Sequence, residues 1–271
     1  MKCETCFRHC ALAEGQIGWC KARQRVGDVI VDRNYGKISA LALDPIEKKP
    51  LAFFHPGSMI LSVGSYGCNL ACPFCQNHAI AQRDLDGSCA WVTPEQLVEK
   101  AVSLVPRGNI GIAFTYNEPM LSWEFIRDTG RLAKARGLQV VVVTNGSVTL
   151  PVLEKVLPYV DAFNIDLKGF SNAYYDYVSG NLETVKRFIE RAATDAHVEL
   201  TTLVVPGKND SLEEMEALSS FVASISPSIP LHLTRYFPRW KEETPATSIE
   251  TLQALQAVAL RHLDKVVLGN V

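Results

Sequence analysis

The sequence predicts an α/β protein in which a small Cys-rich N-terminal module precedes a partial barrel of six strand–helix units. Two observations predict this fold. After Pro50, apolar strands alternate with amphipathic helices, which is typical of βαβ units around a parallel sheet. Before Pro50, the segment from Cys3 to Cys20 contains four cysteines, counting both ends. This segment is rich in turn residues and has no sustained apolar periodicity. We therefore divide the chain into residues 1–50, a metal-binding module with a hairpin, and residues 51–271, the partial barrel.

Two short β-favouring runs end the N-terminal module. Residues 28–31 and 37–43 lie on either side of Asn34-Tyr35-Gly36, where Gly36 interrupts the strand pattern. We expect the two runs to pair with each other as a β-hairpin.

Seven apolar runs follow, and six of them are strong. Their near-continuous Val, Ile and Leu content predicts strands buried on both faces. The runs are residues 59–63, 110–114, 138–143, 161–166, 197–205 and 230–234, with a weaker one at 265–268. Capping boxes mark helix starts at Thr93 with Gln96, Ser211 with Glu214 and Thr247 with Glu250. Six strand–helix units predict an open (β/α)6 barrel more readily than a complete eight-stranded one.

The composition excludes several classes of protein. With 47% hydrophobic and 21% charged residues, the chain can bury a sizeable core and is not intrinsically disordered. A net charge of -2 and a pI of about 6.3 do not indicate a surface for nucleic acid. No apolar run reaches the ~18–20 residues of a membrane span, and the N-terminus has no signal-peptide core. We therefore expect a cytoplasmic protein without a membrane or nucleic-acid partner.

The first four cysteines have the spacing of a metal site. Cys3, Cys6, Cys10 and Cys20 form the pattern C-x2-C-x3-C-x9-C. Four thiolates fit a closed tetrahedral zinc site, which could supply folding energy that this short segment otherwise lacks. They also satisfy an iron–sulfur cluster, so a second cluster is the alternative to zinc.

Three further cysteines occur where a catalytic site is expected. Polar or Gly-bearing segments follow every strong predicted strand, and the carboxyl ends of such strands carry the sites of α/β enzymes. In the first of these segments, Cys68, Cys72 and Cys75 form C-x3-C-x2-C. Three thiolates can hold a 4Fe–4S cluster with one iron open, whereas a structural zinc site needs four ligands. There are two alternatives. The first is a zinc site in which His78 is the fourth ligand, and the second is that the three cysteines are buried and unrelated.

The segment Tyr66-Gly67-Cys68-Asn69-Leu70-Ala71-Cys72-Pro73-Phe74-Cys75 resembles the cluster loop of radical S-adenosylmethionine (SAM) enzymes. The resemblance covers nearly the whole chain and is strongest for pyruvate formate-lyase activating enzyme-like proteins. Residues 44–50 and 75–77 further resemble the AmmeMemoRadiSam-system branch. The resemblance to radical SAM enzymes implies a partial barrel of the radical SAM type, with a 4Fe–4S cluster and SAM as cofactors.

The resemblance also implies roles for individual residues. Cys68, Cys72 and Cys75 match the cluster ligands, and Phe74 matches an aromatic position near the SAM adenine. Glu118 matches a carboxylate that holds the SAM ammonium group. The positions near the SAM carboxylate are Thr144, Asn164, Asp166 and Lys168, and His232 matches a later SAM contact.

The implied activity is that of a radical SAM oxidoreductase. Reductive cleavage of SAM gives a 5′-deoxyadenosyl radical, which abstracts hydrogen from a substrate. An activating enzyme of this kind acts on a partner protein, a glycyl-radical enzyme, and takes electrons from a donor such as flavodoxin or ferredoxin. The same chemistry on a small molecule or another macromolecule is the first alternative. A non-catalytic metal or cluster module that binds a partner is the second.

Overall fold

A computed structural model describes residues 1–271 and confirms the α/β class. The strands are β1 (Arg23–Val26), β2 (Val29–Asp32), β3 (Lys37–Ile38), β4 (Ala40–Pro45), β5 (Met59–Gly64), β6 (Ala90–Trp91), β7 (Asn109–Phe114), β8 (Gln139–Thr144), β9 (Ala162–Asp166), β10 (His197–Val204), β11 (Leu231–Arg235) and β12 (Val266–Gly269). The helices are α1 (His78–Ala81), α2 (Pro94–Ser103), α3 (Trp123–Ala135), α4 (Leu150–Val156), α5 (Asn172–Tyr177), α6 (Leu182–Ala192), α7 (Leu212–Ile225) and α8 (Ile249–Ala259).

One eight-stranded sheet forms the partial barrel. Its order is β4-β5-β7-β8-β9-β10-β11-β12, and every neighbouring pair is parallel except β4 with β5. The six central strands and β12 match the seven predicted runs to within one residue at each end. Because the parallel strands all point the same way, their carboxyl ends meet at one edge of the barrel. No helix has both the length and the apolar content that a membrane span requires.

The predicted hairpin is wrong in its pairing. β1 and β2 form the hairpin instead, through a two-residue turn whose first residue, Gly27, has φ +60°. Residues 37–43 turn away at Gly36 and divide between two partners: β3 pairs with β6, and β4 pairs antiparallel with β5. β4 covers the open edge of β5. The ladder between them has six residue pairs and is longer than a hairpin with residues 28–31 would provide. The barrel sheet therefore includes residues 40–45 of the predicted N-terminal module.

Two of the three predicted helix caps are confirmed. Thr93 and Gln96 form a reciprocal capping box at α2, and the Ser211 side chain accepts from Glu214 N at α7. The third is wrong by one residue, because Ser248 caps α8 by accepting from Thr251 N. Thr247 is buried instead and its hydroxyl donates to Val204 O (2.6 Å), which ties the helix start to β10.

The inner face of the barrel is filled by residues 46–54, which we call the barrel floor. This face is the one opposite the helices, since alternate strand residues point to opposite sides of a sheet. The buried apolar cluster there consists of Ile46, Leu51, Ile60, Ala113, Val141 and Ala162. Polar groups of the strands hold the floor: Glu199 accepts from Ala52 N and Phe53 N, and Asn164 Nδ2 donates to Pro50 O (2.8 Å).

Candidate functional site

The three central cysteines lie in residues 65–77, which follow β5 at the carboxyl edge of the sheet and which we call the cluster loop. Cys72 is buried, and Cys68 and Cys75 are half-buried. The Cys68 sulfur accepts from Leu70 N (3.3 Å) and lies 3.6 Å from Asn145 Nδ2. Burial raises the pKa of the Cys72 thiol to about 11, while the nearby Lys168 ammonium opposes that shift. The predicted ligand positions therefore share one neighbourhood at the predicted edge.

Asn117 holds the cluster loop in place, and the sequence reading missed it. Its side-chain oxygen accepts from Ser65 N (3.0 Å), and its Nδ2 donates to Tyr66 O (3.0 Å) and Gly67 O (3.1 Å). An Asn three residues after the end of a buried strand was the available signal, because its amide can satisfy backbone groups of a neighbouring loop. Asn117 thereby fixes the entry to the cysteine pattern from the end of β7.

Glu118 joins the ends of two strands. It is 2% exposed, and its oxygens accept from Met120 N (3.0 Å), Thr144 Oγ1 (2.7 Å) and Asn145 N (2.7 Å). Burial raises its pKa to about 7, although these donors oppose the shift. The geometry brings Glu118 and Thr144 together. Both oxygens of Glu118 already have internal donors, and a contact with the SAM ammonium group remains a prediction.

Asp166 and Lys168 form an ion pair near the cysteines. They follow one another at the end of β9 with Lys168 Nζ 2.8 Å from Asp166 Oδ2. Burial would lower the pKa of Lys168, but Asp166 and Cys72 raise it well above its usual value. β9 ends at Asp166 and Lys168 lies in the loop that follows, so the ion pair shows that the two side chains face each other. The pair thus places a positive charge beside the Cys72 thiol.

Asn164 and His232 lie deeper inside the barrel, where they support the barrel floor. Besides Pro50 O, Asn164 bonds the Thr201 hydroxyl (2.9 Å). His232 is 6% exposed and its Nε2 lies 2.7 Å from Glu199 Oε2. Burial alone would raise the pKa of Glu199, but donors from His197, His232 and Phe53 N lower it to about 2. Sequence reading missed Glu199, although a carboxylate between apolar residues of a buried strand was a usable signal.

Phe74 is covered by residues 236–247, a segment that crosses the cluster loop. Its ring is 6.1 Å from that of Tyr177 and 6.4 Å from that of Tyr236. The crossing segment is residues 236–247, in which Lys241 N donates to Pro73 O (3.0 Å). His78 stacks on Trp240 with ring centroids 5.2 Å apart, and its Nδ1 lies 3.1 Å from Cys75 O. These contacts engage the ring face and Nδ1 of His78, the residue that was the alternative zinc ligand.

The four N-terminal cysteines line one cavity of about 10 Å³. Arg8 and Arg23 line it as well, and Cys3, Cys6 and Cys20 are buried. All eight cysteines of the chain are free thiols, so neither group of cysteines forms a disulfide framework. At neither cysteine set do three ligand-type side chains stand in closed metal geometry. Zinc at the N-terminus therefore stays a prediction.

Comparison with known proteins decides the family. Residues 62–222 match the model of the Radical SAM superfamily. The chain belongs to the Radical SAM superfamily. Members of this family use a 4Fe–4S cluster and SAM, which supports those two predicted cofactors.

Named relatives include activating enzymes. An uncharacterised protein of Methanocaldococcus jannaschii is 38% identical over 277 aligned positions, covering 100% of this chain and 81% of that protein. The pyruvate formate-lyase 1-activating enzyme of Escherichia coli is 26% identical over 191 positions, covering 68% of this chain and 76% of that enzyme. This radical SAM chain therefore resembles activating enzymes, as predicted. Its place in the AmmeMemoRadiSam-system branch stays a prediction.

Solved structures support the fold. A domain of the pyruvate-formate lyase-activating enzyme from Bacteroides vulgatus superimposes with a TM-score of 0.52 at 23% identity, covering 59% of this chain and 99% of that one. A radical SAM methyltransferase from Sphaerobacter thermophilus gives a TM-score of 0.61 at 16% identity, covering 79% of this chain and 67% of that one. Together with the sheet topology, they confirm the partial barrel of the radical SAM type.

Proposed function

We propose that this radical SAM protein cleaves SAM reductively at a 4Fe–4S cluster held by Cys68, Cys72 and Cys75, and abstracts hydrogen from a partner protein. One observation carries the proposal. The three thiols lie in one loop at the carboxyl edge of the barrel, beside the Asp166–Lys168 ion pair. The partner would be a glycyl-radical enzyme, and the electron donor a flavodoxin or ferredoxin.

The donor set fits the cluster. Three thiolates leave one iron of a 4Fe–4S cube without a protein ligand, which is the position that a substrate or cofactor takes. The backbone N–H of Leu70 and the amide of Asn145 approach the Cys68 sulfur, and hydrogen bonds to sulfur tune such clusters. When bound, the cluster supplies the electron that splits SAM into methionine and the 5′-deoxyadenosyl radical.

The chain's own residues would bind SAM and protect the radical. Lys168 is a cation near Cys72 and Cys75 and suits the SAM carboxylate, while Phe74 offers an aromatic face for the adenine. Glu118 and Thr144 keep the ends of β7 and β8 together beneath them. The aromatic segment of residues 236–247 excludes water from the cluster loop.

The assignment of a protein substrate is supported by the relatives. The Escherichia coli relative activates pyruvate formate-lyase, as its name states, and covers 68% of this chain. Other named relatives are the activating enzymes of (2S)-3-sulfopropanediol dehydratase and isethionate sulfite-lyase. A protein substrate of the glycyl-radical type is therefore the first choice.

The barrel interior supports a second candidate, the same chemistry on a small polar molecule. Tyr116 has φ +72°, and its ring lies against Gly64 on the inner face. Its hydroxyl donates to Asp44 (2.9 Å), which also pairs with the buried Lys49 (3.0 Å). This polar network inside the barrel is the observation that favours a small polar ligand.

The experiment is an anaerobic assay of 5′-deoxyadenosine with reconstituted protein, dithionite and SAM. We expect the wild-type chain and the control variant Cys89→Ala to form 5′-deoxyadenosine, and Cys72→Ala to form none. Equal activity in Cys72→Ala would contradict the proposal, and no cleavage by the wild type would favour a non-catalytic module. A glycyl-radical signal on an added partner protein, or deuterium transfer from a small molecule, would then separate the two substrate classes.

A further inference from the structure

We propose that Cys3, Cys6, Cys10 and Cys20 hold one tetrahedral divalent ion of the zinc type, and that this centre positions the cluster loop through Arg8. The first half is independent of the proposed function. The second half rests on it, because it concerns the loop that carries the predicted 4Fe–4S ligands.

The four thiols surround a space suited to one ion. Successive thiols are separated along the chain by up to nine residues, yet all four line the same cavity of about 10 Å³. That volume is about that of one water-sized sphere. A single tetrahedral ion with four sulfur ligands matches this size and ligand number, whereas a cube of four irons and four sulfides needs far more room.

Hydrogen-bond donors face the sulfurs. The backbone N–H groups of Ala22 and Arg23 lie near the Cys20 sulfur, and that of Arg8 lies near the Cys6 sulfur. Arg23 is 2% exposed, and its Nε–H has no acceptor although the residue lines the cavity. A thiolate set around a divalent ion carries net negative charge. The unpaired Nε–H of Arg23 and the guanidinium of Arg8 are placed to offset it, while the terminal nitrogens of Arg23 pair with the Glu124 carboxylate.

Arg8 connects this site to the cluster loop. Its Nε donates to Asn69 O (2.8 Å), next to Cys68, and its Nη2 donates to Ser179 O (2.6 Å). Its guanidinium lies 4.1 Å from the centroid of the Trp19 ring, which fixes its orientation from the other side. A planar guanidinium held in this way transmits the position of the N-terminal module to the loop.

A second path runs through the backbone. Cys6 forms an isolated β-bridge with Val148, and Ser147 O accepts from Asn69 Nδ2 (3.3 Å). Asn69 Oδ1 in turn accepts from Asn145 Nδ2 (2.9 Å), the group near the Cys68 sulfur. Fixing Cys6 by metal binding would therefore fix Asn69 and its neighbour Cys68.

The first test is the metal content of the full chain carrying Cys68→Ala, Cys72→Ala and Cys75→Ala together. This variant removes the predicted cluster ligands, so any remaining metal reports the N-terminal site alone. After anaerobic purification we expect about one zinc per chain and no sulfide. About four irons with sulfide, or a folded chain without metal, would overturn the proposal. Should the triple variant not fold, X-ray absorption at the zinc edge of the wild-type chain gives the same answer: four sulfur ligands support the proposal, and nitrogen or oxygen ligands contradict it.

The second test is Arg8→Gln against the matched control Arg25→Gln. Arg25 belongs to the same module, but its partners are Gly27 O, Leu12 O and the Glu14 carboxylate, all away from the cluster loop. We expect Arg8→Gln to keep its zinc, to change the electron paramagnetic resonance line shape of the reduced cluster, and to raise the KM for SAM on the order of tenfold with a smaller change in kcat. If the spectra and the KM of Arg8→Gln equal those of Arg25→Gln, the positioning role of Arg8 is overturned. The metal content of the triple variant then decides the zinc site by itself.

Discussion

The two cysteine sets of this chain differ in how many thiols they offer and in what surrounds them. The N-terminal set has four thiols around a small cavity and is linked to the rest of the fold by Arg8. The central set has three thiols in a loop that Asn117 holds at the barrel edge. Four ligands close a metal site, while three leave one position for chemistry. This difference is the basis of our proposals that the first set is structural and that the second is reactive.

Removing one thiol from each set gives the largest expected contrast. Cys6→Ala should lose most soluble protein, because a metal-stapled module unfolds without its ion. Cys72→Ala should stay folded but lose all SAM cleavage. Thermal unfolding and the 5′-deoxyadenosine assay on both variants check this. A soluble, fully active Cys6→Ala variant would remove the structural role of the N-terminal site.

Gly67 is the point where the two sets meet. It has φ +85°, and a Cβ there would lie 2.4 Å from Cys20 O. We expect Gly67→Ala to lower the free energy of unfolding by about 3 kcal/mol through strain and overlap. Gly57→Ala is the control, since Gly57 has φ +78° with nothing within 4 Å and should cost about 1 kcal/mol. Equal costs in urea denaturation would show that the contact between the sets is unimportant.

The barrel floor gives a pH-dependent prediction. The folded-state pKa of Glu199 is about 2, below the ordinary value of 4.5, because His197, His232 and Phe53 N donate to a carboxylate that burial alone would shift upward. The resulting stabilisation, on the order of 3 kcal/mol, is complete above pH 4.5 and is lost as the pH falls towards 2. Glu199→Gln should lack this pH dependence in urea denaturation, whereas Glu190→Gln on the exposed face of α6 should retain it.

The smallest expected effect concerns Tyr116. Tyr116→Phe removes the hydroxyl that donates to Asp44, which keeps its Lys49 partner. We expect a loss of about 1 kcal/mol in the free energy of unfolding, with SAM cleavage unchanged. Tyr159→Phe is the control. A selective rise in the KM for a small substrate would favour the small-molecule candidate, and no change in stability would show that the bond is not made.

The sequence predicted the barrel strands well because burial on both faces leaves apolar runs of strand length. It also predicted that Asp166 and Lys168 point the same way, and their ion pair agrees although Lys168 lies in the loop after β9. It failed for residues 37–43, because the choice of β5 as partner is a long-range property. Asn164 bonds to the barrel floor, and His232 bonds to Glu199, which holds the floor in place. The sequence could not predict these contacts, because no periodicity shows that residues 46–54 fill the barrel interior.

The most direct test of the account is the iron, sulfide and zinc content per chain after anaerobic purification and cluster reconstitution, with SAM cleavage assayed on the same sample. We predict about four irons and one zinc, with 5′-deoxyadenosine formed on reduction. Zinc alone with no SAM cleavage would contradict the central claim that the three-cysteine loop holds a reactive cluster.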